Sequence, residues 1–375
     1  MNIAFFIGSL SDGGAEWQCL LNANALAKKG YQVTICTLSS DITYLSKLNS
    51  LAPGLKILPL SDLRFSSKFV KTLKLLKAAL RLRSFVKKAN VNVVYAWLEL
   101  PQFISFFSVI FTKTKLIWAI RNAGISEDKS YWKMNLLIRI NKYFCFRVNG
   151  VVSNSQRGID RYVRDSGYQI KNEAIIYNTV DTFFFNFPAI REKTPGLNVF
   201  SLLIVGRLTP IKNLAELFSA LVFLKEQSDK LFKLFIVGNG DSEYENQLRW
   251  LAKKLNIDDR MVWVGKVENP VSFYQRADLF ILPSLDEGLS NSLLEAMACK
   301  TLCLSTDVGD SVEFLSQDLI IKNKDAKTIA EKIIWASNLS NDQINEYTED
   351  CHARIKEKCS EGRVVRQLEG FLSKI

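Results

Sequence analysis

Twice along this chain an apolar run ends in glycine and gives way to a helical pattern, and strand and helix signals then alternate. In the first half the run 3–8 passes through Gly13-Gly14 into a helix predicted over 15–29, with further strand signals at 32–38, 91–97, 116–120, 150–153 and 174–177. In the second half the run 199–205 enters Gly206-Arg207 and a helix over 213–225, followed by strand signals at 232–238, 261–265, 277–283 and 301–305. Strands alternating with helices in this way argue for parallel, doubly wound sheets, because each helical crossover returns the chain to start the next strand in the same direction. The expected architecture is α/β: two Rossmann-like, doubly wound parallel-sheet domains facing each other across a cleft. Linker composition at 188–198 (PAIREKTPGLN) separates them. The predicted division is 1–185 for the first domain, 199–345 for the second and 346–375 for a charged C-terminal helix that closes the fold by packing across both. No short-period repeat suggests a solenoid.

Composition narrows the function classes. At 375 residues and 48% hydrophobic, the chain has material for two cores. Seven scattered cysteines without a Cys-x-x-Cys argue against a disulfide framework or zinc site and fit reduced thiols in the cytosol. Residues 1–8 lack the basic start of a secretory signal and read as a first strand. The uncharged stretch 100–112 contains Pro101 and is too short to span a bilayer. Charge is divided unevenly: residues 1–180 hold 25 Lys+Arg against 10 Asp+Glu, and residues 181–375 hold 24 against 28. One half is therefore expected to meet an anionic surface.

The sharpest chemical signal lies after the strand 277–283 (ADLFILP), where Glu287 and Glu295 enclose Gly288-Leu289-Ser290-Asn291-Ser-Leu-Leu. Ser290 or Asn291 is placed to cap the helix that begins there. Glu295 then sits about one turn into a helix whose other faces are apolar, so either it points to solvent or something donates hydrogen bonds to it. Ligands of open α/β sheets bind at the carboxyl ends of strands, where a helix N-terminus also attracts anions. Arg207 and Lys212 follow another strand and are either solvated surface or cations for a diphosphate leaving group. Gly13-Gly14 and Gly238-Asn-Gly240 follow strands and would let backbone N–H groups approach phosphate, yet neither is G-x-G-x-x-G and each also reads as a tight turn. A single histidine, His352, practically excludes a histidine triad or multi-histidine metal site, and no Asp-x-Asp occurs.

Taken together, these residues resemble retaining glycosyltransferases of the GT-B fold, specifically glycosyltransferase family 4. Glu287-Gly-Leu-Ser-Asn-Ser-Leu-Leu-Glu295-Ala-Met-Ala is similar to that family's Glu-x7-Glu motif, and Val205-Gly-Arg-Leu208 with Lys212-Asn213 to its donor-diphosphate clamp. Gly13-Gly14-Ala-Glu16, Ser153-Asn-Ser155, Tyr177-Asn178-Thr-Val-Asp181, Val237-Gly-Asn-Gly240 and Val264-Gly-Lys266-Val267 match in order and spacing over nearly the whole chain. The resemblance implies that Glu295 binds ribose hydroxyls of a UDP- or GDP-linked sugar and that Glu287 lies near the sugar hydroxyls. It further implies that Arg207 and Lys212 hold the diphosphate and that backbone around Lys266 and Val267 meets the base. It implies retention of anomeric configuration without a metal or other cofactor. Many members carry a histidine in the N-terminal domain beside the reacting sugar; this chain has none there. Trp97, Glu99, Arg121 and Asn122 follow the relevant strands instead, with Arg121 as the candidate for that vicinity. Lys300 and Leu302 replace the glycine and proline expected after the motif helix.

The basic half suggests the partner. Nine Lys or Arg and no acid lie between Asp62 and Glu99. A helical wheel places Phe69, Leu73, Leu76 and Leu80 on one face extended by Leu75, Ala79, Leu82 and Val86, with Lys71, Lys74, Lys77, Arg81 and Lys88 opposite. A second stretch from Tyr131 to Arg147 mixes Trp132, Phe144 and Phe146 with Lys133, Arg139, Lys142 and Arg147. This is either the solvated face of a Rossmann helix or a surface for anionic lipid; charge alone would also suit nucleic acid, but no binding motif accompanies it. The expectation is an enzyme at the cytoplasmic face of the inner membrane. It would move sugar from a nucleotide sugar to a polyprenyl-diphosphate-linked glycan during bacterial surface polysaccharide synthesis. A nucleotide-sugar epimerase of the same fold is the alternative, less favoured with so little histidine and so clear a glutamate pair. A non-catalytic nucleotide-binding, membrane-associated protein is disfavoured because Glu287, Glu295, Arg207 and Lys212 are all present.

Overall fold

The computed structural model describes residues 1–11, 13–48, 50–61, 68–121, 132–181, 185, 199–228 and 230–375. The linker expected at 188–198, Asn122, Tyr131 and the side chains of Phe69 and Lys71 lie outside the described residues. In chain order the first elements are β1 (Asn2–Ile7), α1 (Gly14–Lys28), β2 (Gln32–Thr37), β3 (Leu55–Pro59), α2 (Lys68–Lys88), β4 (Val93–Trp97), α3 (Glu99–Val109), β5 (Lys115–Ile120), α4 (Trp132–Asn141), β6 (Gly150–Ser153), α5 (Gln156–Ser166) and β7 (Glu173–Ile175). They are followed by β8 (Val199–Val205), α6 (Leu214–Gln227), β9 (Leu231–Val237), α7 (Ser242–Lys254), β10 (Met261–Gly265), α8 (Val271–Arg276), β11 (Leu279–Leu282), α9 (Asn291–Ala298), β12 (Cys303–Thr306), β13 (Ile320–Ile321), α10 (Ala326–Ser337), α11 (Asn341–Cys359) and α12 (Glu361–Lys374). Two compact units result, one of Met1–Thr179 with Glu361–Ile375 and one of Val180–Ser360.

The first unit holds a seven-stranded sheet in the order β3-β2-β1-β4-β5-β6-β7, parallel throughout. Side chains alternate across a strand, and β1 shows the consequence. Ile3, Phe5 and Ile7 pack with Leu20, Ala23 and Leu26 of α1 and with Val364, Leu368 and Phe371 of α12, whereas Ala4 and Phe6 join Ala78, Leu82 and Val86 of α2 and Ile104 of α3 on the opposite face. Helices therefore cover both faces, which is why the central strands read as unbroken apolar runs. A Cβ on Gly150 would lie 2.5 Å from the Phe371 ring, so glycine at the start of β6 lets α12 seat against the sheet.

The second unit repeats the plan with six parallel strands in the order β10-β9-β8-β11-β12-β13. Helices α6 and α10 pack against each other, and Leu214, Leu217, Phe218 and Leu221 of α6 and Ile329, Ala330 and Ile333 of α10 are buried. In each sheet the strand order reverses beside the first strand, between β1 and β4 and between β8 and β11. A crevice opens outside the carboxyl ends at such a reversal, and it is the common ligand position in open α/β sheets.

One expectation needs correction, and two features lay outside the sequence reading. Strands β3 and β13 were not foreseen, because a lysine- and proline-bearing edge strand and a two-residue strand leave no clear period. The helical stretch 341–375 is two helices: a capping box of Ser340 and Gln343 starts α11, extended backbone at Ser360 (φ −64°, ψ 142°) interrupts the chain, and α12 returns to the first unit. On α2 the apolar residues do not form one buried face. Ala78, Leu82 and Val86 are buried, whereas Leu73, Leu76 and Leu80 are 51, 61 and 60% exposed. Among the described residues no helix is long and apolar enough to cross a membrane.

Candidate active site

At the reversal point of the second sheet, β8 delivers Gly206, Arg207 and a 3-10 turn (Pro210–Lys212), while β11 delivers Ser284 and Glu287. Asn213 ends the turn in left-handed conformation (φ 56°) and starts α6, and its side-chain amide donates to the Lys324 carbonyl at 3.1 Å. This fixes the direction of Lys212. Its Nζ donates to Glu287 Oε1 at 2.6 Å, and Ser284 Oγ donates to the same oxygen at 2.9 Å. Lys212 and Glu287 are each only 18% exposed. Removing one member of this half-buried pair leaves the other charge without its partner, at a cost below the about 3–5 kcal/mol of a fully buried pair. A ligand that displaces this contact must therefore present an anion to Lys212 and hydroxyl or N–H donors to Glu287.

The floor beneath the pair is glycine for steric reasons. Gly206 has φ 151°, and a Cβ there would lie 3.7 Å from Lys212 Nζ. Gly238 has φ 130°, and its Cβ would fall 1.9 Å from the Gly206 carbonyl oxygen; no other residue allows the ends of β8 and β9 to approach so closely. Gly206 N–H donates to Val237, Leu208 N–H to Asn239 and Gly238 N–H to Gly265, tying three successive strand ends together. A Cβ on Gly240 would meet the Leu208 carbonyl at 2.3 Å. Arg207 and Lys266 are exposed on this edge and Val267 is half-buried.

Glu295 lies in the second turn of α9, half-buried, and its Oε2 accepts from the Tyr274 hydroxyl at 2.7 Å. Tyr274 is fully buried, so desolvation and then the neighbouring carboxylate hold its phenol neutral, with a pKa well above the usual range. A neutral phenol can only donate here, which orients the carboxylate. Burial and Glu295 likewise push the Cys299 thiol up to about 12. The loop leading to α9 is clamped: Asp310 N–H donates to the Gly288 carbonyl at 3.2 Å. Buried Gly288, Leu289 and Ser290 bring the chain to Asn291. Ser290 is the N-cap residue, but its hydroxyl pairs with Ser292 Oγ at 3.0 Å instead of capping the helix. After α9, Lys300 occupies φ 52°, a left-handed backbone that glycine adopts without steric cost.

The first unit places the remaining candidates at its own carboxyl edge. The Arg121 guanidinium lies 4.0 Å from the Trp97 ring centroid and donates to Asn178 Oδ1 and the Tyr95 hydroxyl, both at 3.3 Å. Asn154 Nδ2 also donates to Asn178 Oδ1, at 3.3 Å. Burial raises the Tyr95 pKa to about 12 against the opposing pull of Arg121. Asn178 is held by its neighbour, since Thr179 N–H donates to Gln18 Oε1 at 2.7 Å while Gln18 Nε2 donates to the Thr179 carbonyl at 2.9 Å. At the opening of α1, Gly13 N–H donates to the Tyr44 hydroxyl at 2.9 Å, and Gly14 begins the helix. The Glu16 carboxylate folds over this turn, 1.9 Å from where a Gly13 Cβ would be. Glu99 is buried at the start of α3 and His352 is buried in α11.

Thus Lys212, Glu287 and the glycines share one edge in the second unit, whereas Arg121 and Asn178 share one in the first. Sequence reasoning missed Tyr274, Ser284 and Tyr95, and named Asn154 only within the Ser153-Asn-Ser155 match, without a role. Ser284 had a positional signal, directly after a buried strand; Tyr274, in a short helix before that strand, looks like any core tyrosine.

Two parallel α/β units whose site residues gather at the carboxyl edges of both sheets define a GT-B fold. HepE of Anabaena, solved in complex with UDP-glucose, superposes with a TM-score of 0.82 at 16% identity over 100% of both chains. The family model described as Glycosyltransferase Family 4 matches residues 12–183, and the model described as Glycosyl transferases group 1 matches 187–357. Among curated relatives, the N-acetylgalactosamine-N,N'-diacetylbacillosaminyl-diphospho-undecaprenol 4-alpha-N-acetylgalactosaminyltransferase of Campylobacter jejuni is 27% identical over 311 residues, 81% of this chain and 80% of its own length. A second transferase of that organism, the GalNAc-alpha-(1->4)-GalNAc-alpha-(1->3)-diNAcBac-PP-undecaprenol alpha-1,4-N-acetyl-D-galactosaminyltransferase, is 23% identical over 100% of this chain and 98% of its length. The chain belongs to glycosyltransferase family 4. It is a glycosyltransferase that draws on a nucleotide sugar.

Proposed function

We propose that this chain transfers a hexosyl or N-acetylhexosaminyl group, with retention and without a metal, from a UDP- or GDP-linked sugar to a lipid-linked glycan. The Lys212–Glu287 contact carries the reading: a cation and a carboxylate 2.6 Å apart satisfy each other until a ligand offers phosphate to one and sugar hydroxyls to the other. Arg207 joins Lys212 on the diphosphate, Glu295 takes the ribose hydroxyls in the orientation set by Tyr274, and backbone at Lys266–Val267 meets the base. Gly238, Gly240 and the turn Gly288-Leu289-Ser290-Asn291 let backbone approach the nucleotide. Gly13, Gly14 and Asn178 belong to the first unit's share of substrate contacts. During transfer the bond from the anomeric carbon to the phosphate oxygen breaks, the acceptor oxygen bonds to the same face, and its proton passes to the departing phosphate. Cations on that phosphate stabilise the charge it gains; one donor at such a position is typically worth about 10²–10³ in rate.

A UDP donor is supported by the UDP-glucose complex of HepE, and a polyprenyl-diphosphate acceptor in surface polysaccharide synthesis by the undecaprenol-linked substrates in the names of the Campylobacter relatives. The exposed leucines of α2, with Arg83 and Lys87 on the same helical face, support docking on an anionic membrane from the cytoplasmic side, with the domain roles those of 1–185 (acceptor and membrane), 199–345 (donor) and 346–375 (closing helix). Thermal unfolding with UDP, GDP and their sugar conjugates, with and without chelator, tests the donor assignment. One nucleotide is expected to raise Tm equally in both conditions by linkage. No shift with any nucleotide, or a shift that EDTA abolishes and manganese restores, overturns it.

A further inference from the structure

The first unit carries a feature that neither its core nor its candidate site uses. Phe111, just beyond α3, is 89% exposed and held at φ 61°. A left-handed backbone costs a residue with a Cβ roughly 1–2 kcal/mol, and a phenyl ring in water forgoes its burial energy as well. The loop is nevertheless built to stay there. Arg83 Nη1 donates to the Ile110 carbonyl at 2.7 Å, and Arg147 Nη2 donates to the Thr114 and Thr112 carbonyls at 2.8 and 3.1 Å. Thr112 N–H and hydroxyl both return to the Val109 carbonyl, at 3.0 and 2.7 Å. Two arginines thus grip the chain on both sides of one exposed aromatic residue.

The surroundings define what meets it. On α2, Leu73, Leu76, Leu80 and Arg83 follow helical spacing (i, i+3, i+7, i+10), so the exposed leucine stripe runs directly to the arginine that grips the Phe111 loop. Phe107, on the last turn of α3, and Phe146 are also exposed, and both rings pack edge-on against Phe106. A groove of about 560 Å³ beside Phe111 is lined by Lys87, Lys113 and Lys115. Apolar side chains projecting beside a cluster of lysines match the boundary of an anionic bilayer, where rings and leucines reach acyl chains while ammonium groups meet phosphates.

We propose that Phe111 is a membrane wedge: it inserts among the acyl chains of an anionic phospholipid surface, with Leu76 and Leu80 beside it and Lys87, Lys113 and Lys115 at the headgroup phosphates. This deepens the membrane-docking reading and rests on it. The experiment uses the full chain with phosphatidylcholine vesicles with and without phosphatidylglycerol. Phe111→Ser is expected to weaken sedimentation with anionic vesicles by at least about tenfold, corresponding to loss of part of a phenyl burial. Tryptophan at the same place (Phe111→Trp) is expected to retain binding and to add, relative to wild type, a blue-shifted emission that brominated acyl chains quench. Lys87→Gln with Lys113→Gln and Lys115→Gln is expected to remove the preference for phosphatidylglycerol. UDP-induced stabilisation should be unchanged in every variant. If wild type fails to bind anionic vesicles at all, the docking reading falls. If it binds but the added tryptophan is neither shifted nor quenched, docking survives and the wedge does not. A dimer of the wild type that Phe111→Ser dissociates would instead assign the patch to a second copy and overturn the proposal.

Discussion

The two sheets present the same strand–turn–helix plan but stabilise a cation at the carboxyl edge in opposite ways. In the second unit Lys212 is neutralised by Glu287, a charge-for-charge contact at 2.6 Å. In the first unit Arg121 makes no ion pair among the described residues and is held by an indole face, a phenol and an amide. A neutralised cation can exchange its partner for a phosphate with little change in local charge. We propose that Arg121, beside the uncharged Trp97, Tyr95 and Asn178, supplies positive charge to steady charge that appears only during reaction. On that proposal the first arrangement serves binding and release and the second a fixed field.

Breaking the second unit's edge should have the largest effect. Glu295→Ala and Lys212→Ala are each expected to lower turnover by at least about 100-fold, roughly 2.7 kcal/mol of transition-state stabilisation. Steady-state kinetics with the nucleotide sugar named by thermal shift measures this, and near-normal turnover in both variants would remove the donor edge from the mechanism. Arg121→Gln tests the other edge, with an expected fall in kcat of about 100-fold, the lower end for one lost electrostatic donor. UDP-induced stabilisation should stay as in wild type. If that stabilisation is lost too, the edges are not separable. Tyr274→Phe should act more gently, weakening nucleotide binding by about tenfold because a hydrogen bond to a charged carboxylate is worth roughly 1.5–3 kcal/mol; calorimetric titration of UDP reads it directly.

Much of this contrast was legible in the residues. Unbroken apolar runs ending in glycine specified parallel strands, and the eight-residue spacing of Glu287 and Glu295 located the loop after β11. What escaped was set by tertiary placement. Nothing local at Tyr274 distinguishes a phenol aimed at Glu295 from one buried in a core, and the wheel for α2 could not show that Leu76 and Leu80 face outward while Leu82 and Val86 face in. The break at Ser360 was equally hidden: Gly362 lies two residues beyond it, inside α12, so the glycine does not locate the break, and the helices on either side belong to different units. Lys300 shows the converse: the sequence revealed a missing glycine, and the backbone kept glycine's conformation.

The smallest expected effect discriminates most finely between a field and a base at the first edge. Arg121 stands where the family resemblance leads one to look for histidine, and a guanidinium stays charged at every accessible pH. Tyr95, its phenolic partner, has a pKa raised to about 12 by burial and is also silent near neutrality. Arg121→His would introduce a group that titrates near 6.5 in the absence of perturbation. If the edge supplies positive charge, the variant should work best below that pKa, where imidazolium carries the charge, and lose several-fold in kcat as pH rises and the proton leaves. If the edge instead needs a proton acceptor, the slope reverses, because neutral imidazole forms only as pH rises. The field reading therefore requires a kcat–pH profile that falls between pH 6 and 8 in Arg121→His and shows no such slope in wild type; a rising profile would overturn it.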